Sequence, residues 1–397
     1  MTDTAFDLPT RNMEIALGPS HPAMHGTVRM MVELDGETIV KTETEVGFLH
    51  RGFEKESESV HWAQIMPYCD RLNYVSPLIN NFAYAMALEK LCEVEIPERA
   101  KYIRVIAAEI SRICDHMTCN GAMGMEVGGF TPFLYMVEAR ELLYDIVEEL
   151  TGQRITVNFA RIGGVAHDLP PGFAGRCKEA LNKAFKLFDD ADALLTRNRI
   201  FIDRMNKVGR ITKEQAIAYG ITGPMLRATG VAYDLRKAAP YDVYDRMDFD
   251  VPVGENGDTY DRWLVRLEEA RQSRRIVEQA LAQIPPGPIC IEDPRFVLPP
   301  KDEVYTSIEG LMNHFKLIIE GARVPAGEVY GYTEGGNGEL GFYIVSDGSG
   351  KPYKCRVRSP CFTAMQLLDP ILLPGNMISD IVPIFGSVNM IGGECDR

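Results

Sequence analysis

The chain has 397 residues, of which 46% are hydrophobic and 25% charged, and its formal net charge is −14 with a pI near 5.1. This balance predicts a folded protein, and the negative charge argues against nucleic acid or an anionic membrane surface as the main partner. The sequence contains no run of 18 or more uncharged apolar residues, so no bilayer-spanning helix is predicted. The start, which has no basic or apolar stretch, predicts no signal peptide. We therefore expect a cytoplasmic protein built from two or three closely packed parts.

The nine cysteines are scattered along the chain. Cys114 and Cys119 are the closest pair, and no C-x-x-C spacing occurs. In a cytoplasmic protein this distribution predicts reduced, mostly buried thiols and no zinc or iron–sulfur site held by the chain itself.

Residues 1–55 predict a small β region. Met13–Leu17 is a short apolar strand, and apolar residues alternate over 28–47 on both sides of Asp35-Gly36, which is a hairpin signal. The next segment, 47–55, is expected to be a strand that leads into a helix.

A loop with two histidines follows the first strand. Pro22 and Gly26 restrict its shape, so His21 and His25 lie on a rigid turn. Two such imidazoles suit metal binding or proton transfer near neutral pH. The alternative is a tight turn whose histidines cap backbone groups.

Residues 56–330 predict a helical core. The clearest helix, 98–118, has apolar residues at +3/+4 spacing, and the pattern breaks from residue 119 onward, so a bend should display Glu126. Residues 219–246 are rich in turns and predict a functional or interface loop. The other helices are expected at about 76–92, 131–151, 172–206, 258–283 and 303–320. In the last of these, the residues expected to face inward are Leu311, Phe315, Ile318 and Ile319.

Residues 331–397 predict a hairpin and a buried tail. The hairpin spans 339–358, and the apolar tail of 361–397 is expected to be buried despite lying at a terminus. The run from Gly335 to Gly338 precedes a strand and not a helix, so it does not predict a phosphate site.

Six motifs, spread in order over essentially the whole chain, begin at Gly18, Gly47, Asp70, Thr222, Asp234 and Tyr241. Together they resemble the 49 kDa (D) subunit of respiratory complex I, the proton-pumping NADH:quinone oxidoreductase, which is related to the large subunit of nickel–iron hydrogenases. The resemblance implies an α+β fold like that of the hydrogenase subunit, with a central bundle of long helices, an N-terminal β domain and a small β-hairpin region before a buried C-terminus.

The relationship to hydrogenases bears on metal chemistry. A hydrogenase large subunit holds nickel and iron with two C-x-x-C pairs, which by the resemblance would fall at Asn73 and Ser76 and at Ile391 and Glu394. None of these residues is a thiolate, and Cys395 is one position out of step. Because soft metals need sulfur ligands, the resemblance implies no hydrogenase activity and a cavity free for another ligand.

In the complex I family that cavity holds the quinone headgroup. The resemblance implies that His25 and Tyr74 hydrogen-bond the two quinone carbonyls. Such bonds strengthen as charge develops on the oxygens, and both groups can supply protons. Glu126 stands where the family has an aspartate paired with this histidine, so its reach is longer by one methylene. His21 is then expected to order the loop.

Electrons, by the same resemblance, come from a [4Fe–4S] cluster of the adjacent small (B-type) subunit. Arg51 and Arg71 would approach that cluster and raise its potential; the alternative is an ordinary ion pair at an interface. Thr156 stands where the family often has a histidine bonded to the cluster. We expect a lower cluster potential, suited to a quinone such as menaquinone.

The resemblance also implies partners and location. The other partners are a 30 kDa (C-type) subunit and a membrane H-type subunit; NAD and the clusters lie on other subunits, and this chain binds no metal. The chain would be peripheral, on the cytoplasmic side of the inner membrane, and inactive alone. Two alternatives stay open: a related complex that uses ferredoxin or F420 as donor, and a scaffold with a vestigial cavity.

Overall fold

The computed structural model describes residues 12–373 and 375–397, and it shows a mixed α+β fold that is 52% helical. The first eleven residues, on which the expectation of no signal peptide rests, lie outside the described part. The strands are β1 (Met13–Leu17), β2 (Arg29–Asp35), β3 (Thr38–Glu45), β4 (Ala160–Arg161), β5 (Gly164–Val165), β6 (Gly327–Glu334), β7 (Glu339–Ser346) and β8 (Lys354–Arg358). The helices are α1 (Phe53–Ser57), α2 (Trp62–Cys69), α3 (Pro77–Cys92), α4 (Glu98–Glu126), α5 (Phe130–Thr151), α6 (Phe173–Leu195), α7 (Arg199–Met205), α8 (Lys213–Ala218), α9 (Gly223–Arg227), α10 (Leu235–Ala238), α11 (Thr259–Gln283), α12 (Lys301–Thr306), α13 (Ile308–Ile319), α14 (Pro360–Gln366), α15 (Leu368–Leu372), α16 (Ile381–Val388) and α17 (Gly392–Asp396).

The N-terminal hairpin is confirmed. Strands β1, β2 and β3 form an antiparallel sheet in that order, and Gly36 supplies a positive φ of 62° in the turn. The strand expected after residue 47 is wrong. This segment is a loop because its backbone bonds go elsewhere: the amides of Gly47 and Leu49 donate to the carboxylate of Asp396, at 2.9 and 2.7 Å.

Helix α4 is the centre of the bundle and packs against α3, α5, α11 and α16. The expected break at residue 119 is wrong, because α4 continues to Glu126 as its last residue. The small residues in between serve close packing: a Cβ on Gly121 would lie 3.1 Å from Met136, and one on Gly124 would lie 2.8 Å from Leu195. The bend that displays Glu126 is therefore present, but later than expected.

Two long helices expected from the periodicity are each divided. The segment 172–206 forms α6 and α7, because the side chain of Asn198 accepts bonds from the amides of Ile200 and Phe201 and so caps a new helix. The segment 303–320 forms α12 and α13, with Ser307 as the cap of the second.

The inward orientation expected for the apolar face of α13 is wrong in this chain. The helix packs mainly against α12 and leaves this face open. Its four expected core residues are 52–56% exposed, namely Leu311, Phe315, Ile318 and Ile319.

The C-terminal region agrees with the sequence expectation. The hairpin of β7 and β8 is confirmed and gains a third strand, β6, which packs on α3 where Gly331 meets Ala87. The tail is buried, including every residue of α17. The boundaries expected at residues 55 and 330 stay a prediction. Within the described ranges, no helix combines the length and the apolar character that a bilayer crossing requires.

The turn-rich segment, residues 219–246, is held by a buried ionic network instead of by a periodic apolar face. Arg227 bonds Glu269 of α11 at 2.5 Å and Glu334 of β6 at 2.8 Å, and Arg236 bonds Asp234 at 2.7 Å and Glu109 of α4 at 3.0 Å. These side chains are at most 1% exposed. Because a desolvated charge is costly without its partners, the network fixes this segment onto the bundle.

We predict that Arg227→Met destabilises the full chain by about 3–5 kcal/mol, because it leaves buried carboxylates uncompensated. The free energy of unfolding in denaturant measures this loss. The matched control is Arg199→Met, since Arg199 is 93% exposed in its pair with Asp203; this change should cost less than about 0.5 kcal/mol. Equal effects of the two changes would contradict the role of the network.

Candidate functional site

The histidine loop is a 3₁₀ turn over Pro22–Met24 that places its two histidines differently. The His21 ring nitrogen Nδ1 accepts a bond from the Ala23 amide at 3.2 Å, so the capping interpretation is confirmed for His21. Met24 is fully buried and anchors the turn. His25 ends the turn with a φ of 53°, and its side chain is 35% exposed.

His25 contacts Glu126 at the end of α4. The imidazole Nε2 lies 3.5 Å from the carboxylate Oε1, and the ring meets Phe385 edge-on at 5.2 Å. The glutamate side chain is 7% exposed and rests directly on Gly386, where any side chain would overlap its carboxylate. Burial raises the pKa of Glu126, and the hydrogen bond and charge of His25 oppose that rise. The longer reach of glutamate therefore still brings the carboxylate to the histidine.

Tyr74 lies in the loop between α2 and α3. The loop is held by the side chain of Asn73, whose Oδ1 accepts from the amides of Val75 and Ser76 at 3.2 and 3.4 Å. Tyr74 is 40% exposed. Burial raises the pKa of Tyr74 further above its usual value, so the phenol keeps its proton at neutral pH and its hydroxyl can donate.

Arg51 and Arg71 adjoin the same loop. The Arg51 guanidinium donates to the Arg71 carbonyl at 2.5 Å, and that of Arg71 donates to the Pro67 carbonyl at 2.7 Å. Among residues 12–373 and 375–397, neither has a carboxylate within ion-pair distance. Burial and then the charge of Arg71 lower the pKa of Arg51. Two exposed cations without counter-ions in the described ranges leave a positive surface beside Tyr74.

Thr156 belongs to a loop tied to this surface. Its φ is 57°, and its hydroxyl donates to the Ile155 carbonyl at 2.6 Å. The amide of Asn158 donates to the carboxylate of Asp70 at 2.9 Å, one residue before Arg71. A β-branched residue with positive φ is uncommon, which makes this a strained position next to the cationic surface.

A buried polar chain beneath the Tyr74 loop was not expected from the sequence. At one end, Asp115 of α4 accepts three bonds: from Asn73 Nδ2 at 2.8 Å, from Ser76 Oγ at 2.7 Å and from Asn389 Nδ2 at 3.0 Å. Its carboxylate lies directly against Gly336, where a side chain would overlap it. The glycine run from Gly335 to Gly338 thus allows the backbone to approach the Asp115 carboxylate closely.

The other end of this chain is Glu394 of α17. Asn389 Nδ2 also donates to Asn337 Oδ1, and Asn337 Nδ2 donates to Glu394 Oε2 at 3.3 Å. The Cys361 thiol donates to the same carboxylate oxygen. A signal in the sequence was the aspartate at position 115, an acidic residue within the clearest predicted helix.

The buried polar chain contains Asn73, Ser76 and Glu394. These are three of the four positions at which the resemblance placed hydrogenase cysteines. The fourth, Ile391, contributes its backbone carbonyl, which accepts from the Glu394 amide at 3.0 Å. In the described part of the chain, no three or more His, Cys, Asp or Glu side chains gather as a metal ion would require. Amide, hydroxyl and carboxyl groups bond one another here instead.

The arrangement offers two proton-bearing side chains on one support. His25 is held at Glu126 and the Tyr74 loop at Asp115, eleven residues apart on α4, which corresponds to about 16 Å along the helix axis. An imidazole beside a buried carboxylate and a protonated phenol can each form a hydrogen bond to a ligand.

Comparisons with known proteins agree on a family. Residues 126–397 match the family model described as the respiratory-chain NADH dehydrogenase 49 Kd subunit. The first D-type subunit of the NADH-quinone oxidoreductase of Sorangium cellulosum is 57% identical over 398 residues, which cover 100% of this chain and 98% of the relative. The D-type subunit of the same enzyme in Myxococcus xanthus is 58% identical, covering 98% and 94%. The C/D-type subunit of Bdellovibrio bacteriovorus is 50% identical, covering 98% of this chain and 70% of that longer relative. The chain therefore belongs to the family of the 49 kDa subunit of the respiratory-chain NADH dehydrogenase.

Proposed function

We propose that the chain forms the quinone-reduction site of a proton-translocating NADH:quinone oxidoreductase, with His25 and Tyr74 as hydrogen-bond donors to the two quinone carbonyls. The observation that carries this proposal is the pairing of His25 with the buried carboxylate of Glu126, on the same helix that supports the Tyr74 loop. The names of the relatives, NADH-quinone oxidoreductase, favour NADH over ferredoxin or F420 as donor of the complex.

The contact of Glu126 with Nε2 defines the role of each ring nitrogen of His25. With Nε2–H donated to the carboxylate, Nδ1 is left for the ligand, and it donates only when the imidazole is protonated. Transfer of the Nδ1 proton to one quinone oxygen leaves neutral His25 still bonded to Glu126, and the Tyr74 hydroxyl transfers its proton to the other oxygen. Both side chains then regain a proton from solvent.

Reduction of a quinone to a quinol takes two electrons, and we propose that they arrive from a [4Fe–4S] cluster of a B-type partner. The charges of Arg51 and Arg71, which have no counter-ion among the described residues, suit a surface that faces a cluster, because nearby cations favour the reduced, more negative state of the cluster. The Thr156 hydroxyl donates its proton to the backbone carbonyl of Ile155. A cluster beside it would gain little proton-coupled stabilisation, which favours a low-potential quinone such as menaquinone.

The assembly is also part of the proposal. The relative whose name combines the C and D types supports a C-type, 30 kDa partner. The other partners are the B-type subunit and a membrane H-type subunit, which would hold this chain on the cytoplasmic side of the inner membrane. NAD and the clusters then lie on other subunits, so the chain alone is inactive. The proposed fold is that of the hydrogenase large subunit, with the polar chain of Asp115 and Glu394 in the former metal cavity.

We predict that Tyr74→Phe lowers quinone reduction by the assembled complex about 100-fold, since one hydrogen-bond donor to the developing charge is lost. NADH oxidation by an artificial acceptor should continue, because its electrons leave before the quinone site. Tyr353→Phe is the matched control, as Tyr353 is 69% exposed. Unchanged quinone reduction by Tyr74→Phe would support a scaffold with a vestigial cavity and would refute the proposed site.

We predict that Thr156→His raises the potential of the partner's cluster and makes it fall with rising pH, with a limiting slope of about 59 mV per pH unit for one proton per electron. A histidine can gain a proton when the cluster is reduced, and it tolerates a positive φ better than a β-branched residue does. Redox titration of the assembled complex at several pH values measures this effect, with Thr156→Ser as the control. A wild-type potential that is already high and strongly pH-dependent would contradict the role given to Thr156.

A further inference from the structure

Two buried carboxyl groups are joined by neutral amides beneath the Tyr74 loop. Glu394 is 1% exposed and Asp115 is fully buried. In the described residues neither forms an ion pair with a lysine or arginine, and each bonds only thiol, hydroxyl or amide donors. Two carboxylates in such a place repel each other and lose hydration, so one of them is readily protonated.

The groups around Glu394 identify it as the one that changes charge. The thiols of Cys361 and Cys395 lie beside it on α14 and α17, and Asp115 faces it from α4. Arg358 of β8, whose charge opposes the rise in the pKa of Glu394, bonds the hydroxyl of Thr222 and two backbone carbonyls. Burial raises the pKa of Glu394 to about 7. Asp115 accepts three hydrogen bonds, from Asn73, Ser76 and Asn389.

We propose that Glu394 is a positioning residue of the quinone site, and that its protonation state sets the position of the Tyr74 loop through Asn337, Asn389 and Asp115. This inference rests on the proposed function, in which Tyr74 bonds the quinone. It needs no electron transfer within the chain: Glu394 takes up one proton and releases the same proton.

The polarity of the amide groups transmits the charge. When Glu394 is ionised, it accepts from Asn337 Nδ2, so Asn337 presents Oδ1 to Asn389 Nδ2. When Glu394 is protonated, its hydroxyl can donate, and Asn337 is free to turn its Oδ1 toward it. Asn389 then faces a donor instead of an acceptor.

The same turn of Asn337 reaches the Tyr74 loop. Asn389 is one of the three donors that the described residues offer to the Asp115 carboxylate, and the other two, Asn73 and Ser76, belong to that loop. A change at Asn389 therefore alters the anchor of the residues that flank Tyr74. The described hydrogen bonds fit the ionised form, in which Asn337 donates to Glu394, so this form holds the loop in the described position.

The test is the pH profile of quinone reduction by the assembled complex between pH 6 and 8. From pH 8 down to pH 6, the ionised fraction of a group with a pKa near 7 falls roughly tenfold. We expect the ratio of kcat/KM for quinone in the wild type to that in Glu394→Gln to fall with it, because proton transfer from His25 is common to both. Glu394→Gln should have a low kcat/KM already at pH 8 and lose this pH dependence. Glu54→Gln is the control: Glu54 bonds Arg397 near the same terminus but lies outside the chain of amides, and it should keep the wild-type profile.

Asn337→Ala provides a second variant, in case Glu394→Gln fails to assemble. It cuts the connection and leaves Glu394 able to ionise, so the same loss of pH dependence is expected. A wild-type pH profile in either assembled variant overturns the inference. If that result accompanies loss of quinone reduction in Tyr74→Phe, only the role of Glu394 fails; if Tyr74→Phe is also unaffected, the proposed function fails with it.

Discussion

The site depends on the need of one buried carboxylate, Asp115, for hydrogen-bond donors. Asp115 lies on a helix surrounded by others, with no cation of the described ranges bonded to it, and its three donors come from the Tyr74 loop and from the C-terminal segment. Removing any of them would leave a buried charge partly unsatisfied, which costs more than an ordinary hydrogen bond gives. The requirement therefore joins segments more than 300 residues apart in the sequence, and it explains why an apolar, glycine-containing C-terminus is buried in the core.

A second buried carboxylate, Glu126, plays the same part for the histidine loop. Glu126 lies at the end of α4, and its carboxyl group packs against Gly386, where a larger residue would overlap it. His25 is the only polar partner that the described residues offer to the carboxylate oxygens of Glu126. The helix thus presents two carboxylates at different heights, one under each loop. In the buried ionic network, the ion pair of Arg236 with Glu109 fixes the turn-rich segment against the same helix.

Local patterns predicted the elements well where burial follows a simple period. The hairpin at Asp35-Gly36, the helix of residues 76–92 and the buried tail are confirmed. The prediction was wrong where small residues serve packing, as at Gly121 and Gly124. It was also wrong for α13, because periodicity identifies an apolar face but not what covers it.

The site was predictable only in part. His25, Tyr74 and Glu126 were proposed through the family resemblance, and the structure brings His25 to Glu126. The polar chain from Asp115 to Glu394 was missed, because its members come from distant segments and have no shared local pattern. Only tertiary contacts bring Asn73, before Tyr74, and Asn389, near the C-terminus, to the same carboxylate of Asp115.

The central claim is that His25 and Tyr74 flank a quinone ring. Photoaffinity labelling of the assembled complex with an azidoquinone, followed by peptide mapping, tests it most directly. The account predicts label within residues 21–26 and 72–76 and its loss when unmodified quinone competes. Competable label elsewhere in the complex, with both of these segments unlabelled, would contradict it.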